Sequence, residues 1–99
     1  VEIIDTANQR EVLDMSEDIR VVGILVEKRA AHAPEVQEVL TRFGTKILMR
    51  CGIPDPGRER GIITLTMQAG ENDYLVMEND LQGIEGVSVK SVSLAGNPG

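Results

Sequence analysis

Residues 19–26, Ile-Arg-Val-Val-Gly-Ile-Leu-Val, form a β-branched apolar run of strand length with no helical period. In a strand, successive side chains face opposite ways. Val22, Ile24 and Val26 therefore share one face, and Ile19, Val21, Gly23 and Leu25 share the other. Both sets are apolar. A strand of this kind belongs inside a sheet that is covered on both sides, and this requirement governs how the rest of the chain must pack.

Downstream, Val36, Val39, Leu40 and Phe43 recur at helical spacing. Pro34 suits a first helical turn, and Gly44 suits a left-handed C-terminal cap, so a helix over 34–43 is predicted. A second strand over 47–53 alternates Ile47, Met49, Cys51 and Ile53 against Leu48, Arg50 and Gly52. Residues 54–57, Pro-Asp-Pro-Gly, predict a turn. A third strand over 61–69 sets Ile63, Leu65 and Met67 against Thr64, Thr66 and Gln68. Asn72 or Asp73 is placed to cap a second helix with Tyr74, Met77, Leu81 and Ile84 inward and Leu75 and Val76 outside that stripe. Val87, Val89, Val92 and Leu94 mark a last strand, and residues 95–99 form a tail.

The order is βαββαβ. With right-handed crossovers it predicts an α+β, ferredoxin-like sandwich: a four-stranded antiparallel sheet with both helices on one face. An uncovered apolar face then remains on the other side of the sheet. A homo-oligomer, dimer or tetramer, pairing this face or a sheet edge is expected; the alternative is that the N-terminal segment folds back over it.

Charge divides the chain. Its net charge is -6, but residues 1–18 hold six acidic groups against Arg10 alone, whereas residues 19–99 hold nine basic and ten acidic groups. We therefore read 1–18 as an acidic extension, either a disordered leader or a short docking helix, and 19–94 as one domain. No apolar run reaches membrane-spanning length, and no secretory signal pattern is visible. One cysteine makes no internal disulfide, so a reducing cytoplasm is the expected setting.

Several chemistries are poorly served. RNA-recognition modules of this topology stack bases on sheet aromatics, but Phe43 and Tyr74 fall on the helices. No DNA-reading motif is present, so direct nucleic-acid binding is not expected. For metals the chain offers only His32 and Cys51, which read first as an exposed pre-helical histidine and a buried cysteine acting as a small hydrophobe. No cofactor is indicated. Arg50 is Cys51's sequence neighbour, but on a strand the two point to opposite faces, so no activated nucleophile follows. Lys28 and Arg29 faintly suggest the anion loop of an acylphosphatase, without its glycine-rich cradle. As plain surface charges they would be solvated, or paired with Glu27, Asp18 or Glu35.

The runs RVVGILVEKR, ILMRCGIP, GIITLTM and LQGIEGVSVKSVSL resemble the regulators associated with iron-only hydrogenase systems, whose domains are ACT-like and related in fold to the ligand-binding part of the nickel-responsive repressor. The resemblance spans about residues 19–94. Its most specific part is 50–54, where the family carries Arg-x-Gly-x-Pro; Cys51 stands where an apolar residue is usual, and the family body would begin near Met15. The resemblance implies a non-enzymatic, oligomeric, cytoplasmic module that senses a small effector or bridges protein partners. ACT relatives hold effectors at subunit interfaces near the loop after the first strand. Lys28, Arg29, Arg50 and Gly52 are therefore the candidate ligand contacts.

Overall fold

A computed structural model describes residues 17–55, 57 and 59–94. The acidic extension, apart from Glu17 and Asp18, and the tail lie outside the described residues. The elements are β1 (Asp18–Val26), α1 (Arg29–Arg42), a 3-10 turn (Gly44–Lys46), β2 (Ile47–Asp55), β3 (Arg60–Ala69), α2 (Glu71–Gln82) and β4 (Val87–Ser93). The sheet order is β2-β3-β1-β4 with every neighbouring pair antiparallel, which is the predicted α+β ferredoxin-like arrangement.

Val22, Ile24 and Val26 of β1 oppose Leu65, Ile63 and Gly61 of β3, so one face of the two central strands is continuous. Against it α1 places Val36, Val39 and Leu40, and α2 places Tyr74, Met77 and Leu81; all are buried. The helical periodicity of these residues is what brings each set to one side. No polar or charged residue is buried among the described ones, so dispersion and water release hold this layer together.

The Tyr74 hydroxyl supplies a buried polar staple. It lies 2.9 Å from the carbonyl oxygens of both Asp18 and Met67, to which its proton is donated, tying α2 to the ends of β1 and β3. The Arg20 guanidinium stands 4.3 Å over the same ring, and its Nε donates to Asp18 at 2.9 Å. The cation thus covers an aromatic face while its charge is met by a carboxylate.

Local boundaries depart from the sequence reading at four places. Helix α1 begins at Arg29 instead of Pro34, because residues 29–33, Arg-Ala-Ala-His-Ala, are strong helix formers. Its first turn is docked by the Arg29 N–H donating to the Glu59 carbonyl at 2.9 Å. Pro34 sits inside the helix and removes one backbone donor there. Gly44 does not take a left-handed cap; Phe43 ends the helix at φ -109°, and Gly44 opens the 3-10 turn. Gly70, and not Asn72 or Asp73, caps α2, leaving the acidic Glu71 and Asp73 in the first turn near the positive end of the helix dipole.

The fourth departure is in β2. Ile47 pairs with Met67 but Met49 pairs with Thr66, so Leu48 is the extra residue of a bulge. Ile47 therefore joins Arg50 and Gly52 on the helix side, while Met49, Cys51 and Ile53 stay together on the other. The strand also runs through Pro54 to Asp55, and its turn lies later than residues 54–57. Proline is tolerated because β2 is an edge. Asp55 and Arg60 close the hairpin through a 2.9 Å ion pair.

Gly86 has φ +81°, and a Cβ there would lie 3.3 Å from His32 Cδ2 and 3.4 Å from both Glu27 Cβ and the Glu27 carbonyl. Its own carbonyl accepts from the Glu27 N–H at 2.8 Å. Gly86→Ala is expected to cost about 1–2 kcal/mol, read as a lowered urea midpoint with unchanged slope. A cost near zero would mean that the loop relaxes freely.

Candidate functional site

The edge strand β2 offers little bulk to the helix side. After Ile47, its residues facing α1 are Arg50, Gly52 and Pro54, so α1 does not rest on a wall of large side chains there. Helix α1 answers with Arg29, Ala33 and Gln37, spaced i, i+4, i+8 along one stripe. The result is a cleft of about 230 Å³ between α1 and the β2–β3 hairpin, floored by Val26 and Ile63 and rimmed by Ile53 and Ile62.

Gly52 and Gly61 both line it, for different reasons. A Cβ on Gly52 would meet nothing within 4 Å, so this glycine leaves space. A Cβ on Gly61 would come within 2.9 Å of Arg29 Cδ, so that glycine lets the arginine stem lie against the strand.

The cleft is polar at its ends and apolar along its floor. Arg29 lines one end and makes no side-chain hydrogen bond or ion pair with described residues. At the other end, Arg50 Nη2 donates to Gln37 Oε1 at 2.6 Å, a neutral acceptor, and no described carboxylate pairs with this arginine. Eight residues of helix separate Arg29 from Gln37, about 12 Å along the axis. The chemistry offered is an exposed cation, an amide and a second cation around an aliphatic floor, which suits a small anion with an apolar portion.

Of the predicted contacts, Arg29 and Gly52 line the cleft and Arg50 reaches it through Gln37. Lys28 precedes α1 at φ 49°, is exposed, and is absent from the lining. Pairing of Lys28 or Arg29 with Glu27, Asp18 or Glu35 is not observed; Asp18 binds Arg20, and Glu35 stands 3.9 Å from His32. Ala33, Gln37, Gly61 and the Ile63 floor are additions from the structure. Their signal was the spacing of Arg29, Ala33 and Gln37, concealed when the helix is started at Pro34.

The two soft ligands are reversed relative to expectation. His32 lies within α1 with its side chain 17% exposed, packed beside Gly86, because the helix begins earlier. Cys51 is exposed, because β2 is an edge strand and its outer face is uncovered. They lie on α1 and on the far face of the sheet respectively, and no cluster of three or more His, Cys, Asp or Glu occurs among the described residues. Register confirms that Arg50 and Cys51 face opposite ways, opposing Leu65 and Thr64. No helix among the described residues is long and apolar enough to cross a membrane.

Comparison with known proteins adds the following. The model of the TM1266-like family, described as "Iron-only hydrogenase system regulator, putative", matches residues 18–91. The solved structure of the uncharacterized protein TM1266 from Thermotoga maritima superposes with a TM-score of 0.76 at 31% identity, covering 79% of this chain and 98% of that one. An unknown protein from Galdieria sulphuraria gives a TM-score of 0.55 at 11% identity, over 83% of this chain and 48% of that one, a likeness of fold alone. No curated protein matches.

Proposed function

This chain belongs to the TM1266-like family of iron-only hydrogenase system regulators, and from that premise we propose that it is a non-enzymatic regulatory module whose effector occupies the cleft between α1 and the β2–β3 hairpin. The effector is a small carboxylate or comparable anion. The observation that carries this reading is that Arg29 lines one end of a cleft with an aliphatic floor and makes no side-chain hydrogen bond or ion pair with any described residue. A cation that no described carboxylate pairs with is ready to form a charge-assisted pair with a ligand.

In this reading the signal passes to a protein partner in the cytoplasm. A non-catalytic role is supported by the separation of Cys51 from His32, which keeps the chain's one imidazole away from its one thiol. Against RNA as the ligand, the outer face of β1 and β3 presents Ile19, Val21, Gly23, Leu25, Ile62, Thr64, Thr66 and Gln68, none of them an aromatic on which a base would stack.

The test is a thermal-shift panel on the full chain with amino acids, other small carboxylates, nucleotides and divalent metals. A ligand at a hundred times its Kd adds about 2.7 kcal/mol of apparent stability, which raises Tm by roughly 10 °C in a domain of this size. Arg29→Ala should abolish the shift. Gly52→Val separates binding from folding, because its side chain enters open space in the cleft. It should leave the unliganded Tm unchanged or slightly raised, since valine suits a strand better than glycine, and should also remove the shift. A shift that survives Gly52→Val places the ligand elsewhere. No shift across the panel favours an interaction module without an effector.

A further inference from the structure

Three successive rungs of the β2–β3 hairpin face α1: Pro54 with Gly61, Gly52 with Ile63, and Arg50 with Leu65. Arg29 belongs to the first, its stem lying so close to Gly61 that a Cβ there would stand 2.9 Å from Arg29 Cδ. The middle rung is open on its β2 side, where a Cβ on Gly52 would meet nothing within 4 Å. Arg50 belongs to the third, and its hydrogen bond to Gln37 ties the guanidinium to a side chain of the cleft wall. Two rulers give the separation of the cationic ends. From Gly61 to Leu65 is four strand residues, about 13 Å, and from Arg29 to Gln37 is eight helical residues, about 12 Å. Helix and hairpin thus place their cations at the same two stations, with Gly52 and Ile63 between them.

On the premise that an effector occupies this cleft, as proposed above, we infer that it is a linear dianion: an α,ω-dicarboxylate with an aliphatic middle, one carboxylate on Arg29 and the other on Arg50. A monoanion would engage Arg29 and leave Arg50 with one neutral acceptor among the described residues. Gln37 suits a waiting role. Its amide oxygen positions the guanidinium without neutralising it, and an arginine has further donors to give a carboxylate. The middle of the cleft suits methylenes, since Val26 and Ile63 floor it and Gly52 leaves room.

An amino acid fits less well. Its ammonium needs an acceptor, and no described residue lining the cleft is acidic. Asp55 and Glu59 border an adjoining hollow instead, where Asp55 is held by Arg60 at 2.9 Å.

Isothermal titration calorimetry on the full chain at low ionic strength tests this with two ladders of probes: the diacids succinate, adipate, suberate and sebacate, and the monoacids of the same carbon number. The ratio of monoacid to diacid dissociation constant should be near one for succinate, which is too short to reach both ends. It should rise to about fivefold or more for suberate or sebacate. Arg50→Ala should return that ratio to near one with far-ultraviolet circular dichroism unchanged. Arg42→Ala, which removes an arginine paired with Asp80, controls for net charge and should leave the ratio as it is. Adipate should bind more tightly than 2-aminoadipate. A ratio near one at every length, a ratio as large for succinate as for sebacate, a ratio that survives Arg50→Ala or collapses in Arg42→Ala, or tighter binding of 2-aminoadipate would each overturn the dianion. In each of these cases, monoacid binding that is lost in Arg29→Ala would leave the effector reading standing. Binding by neither ladder overturns the dianion as well, and the thermal-shift panel then decides the effector reading separately.

Discussion

Leu65→Ala is expected to lower the unfolding free energy by about 3 kcal/mol, within the usual span for deleting a fully buried leucine. Leu65 has no exposed surface and lies in β3 between Val22 of β1 and Arg50 of β2. The cost has two parts: the lost transfer energy of the removed atoms, and the cavity left when the surroundings cannot close. Collapse is hindered here because Leu65 stands in the paired interior of a sheet whose backbone is held on both sides. A chain of this length has about 5–10 kcal/mol to lose, so the urea midpoint should fall by roughly a third or more. An equivalent change at Leu75, which is 52% exposed on α2, should cost under about 0.5 kcal/mol. If the two substitutions had similar effects, the assignment of α2's inner stripe to Tyr74, Met77 and Leu81 would be wrong.

The contrast between these two leucines shows why so much of the fold was legible in the sequence. The alternation in 19–26 and 61–69 and the helical spacing of Val36, Val39 and Leu40 each name a buried face. The βαββαβ order then leaves few ways to bring those faces together. The errors lie where a second physical effect competes with the pattern. Pro34 looked like a helix start because proline is favoured there, yet four of the five residues before it are alanine or arginine and the helix extends back through them. The bulge at Leu48 is silent in composition, since Ile47, Leu48 and Met49 are all apolar and either phase satisfies a half-exposed strand.

The candidate site was half legible for a related reason. Arg29 stands out as a charge after the first strand, and Arg50 and Gly52 as the fixed residues of the Arg-x-Gly-x-Pro element in the second. A cleft, however, is made as much by what is missing as by what is present. Ala33 and Gly61 contribute by being small, and nothing in the local sequence marks a small residue as lining a cavity instead of filling a turn. Gln37 falls outside the apolar stripe of Val36, Val39 and Leu40, so sequence alone leaves it on the solvated side of α1; its engagement with Arg50 across the cleft depends on helix and edge strand being packed together.

Above pH 10 the protein should lose stability through Tyr74. Burial pushes its hydroxyl up from 10.0 to about 12, with the Asp18 carboxylate acting in the same direction. The proton is the one donated to the Asp18 and Met67 carbonyls, so ionisation would remove a donor from the end of the sheet and place a charge among acceptors. The folded state therefore keeps the proton in a range where the unfolded chain has released it. The stabilisation is fully present below pH 10 and is lost as pH rises from 10 towards 12, amounting to roughly 2 kcal/mol over that window. Tyr74→Phe should abolish this part of the pH dependence while costing about 1–2 kcal/mol at neutral pH through the lost hydrogen bonds. Subtracting the variant's stability curve from that of the parent removes the lysines, which titrate in the same region in both. Tyr74 is also the chain's single tyrosine, so its ionisation can be read directly from tyrosinate absorbance. In the native protein the absorbance should rise with a midpoint near 12, or together with unfolding if that comes first; in urea the midpoint should return to about 10. A native midpoint near 10 without loss of structure would mean that the hydroxyl is not held between the two carbonyls, and α2 would lack its polar anchor to β1 and β3.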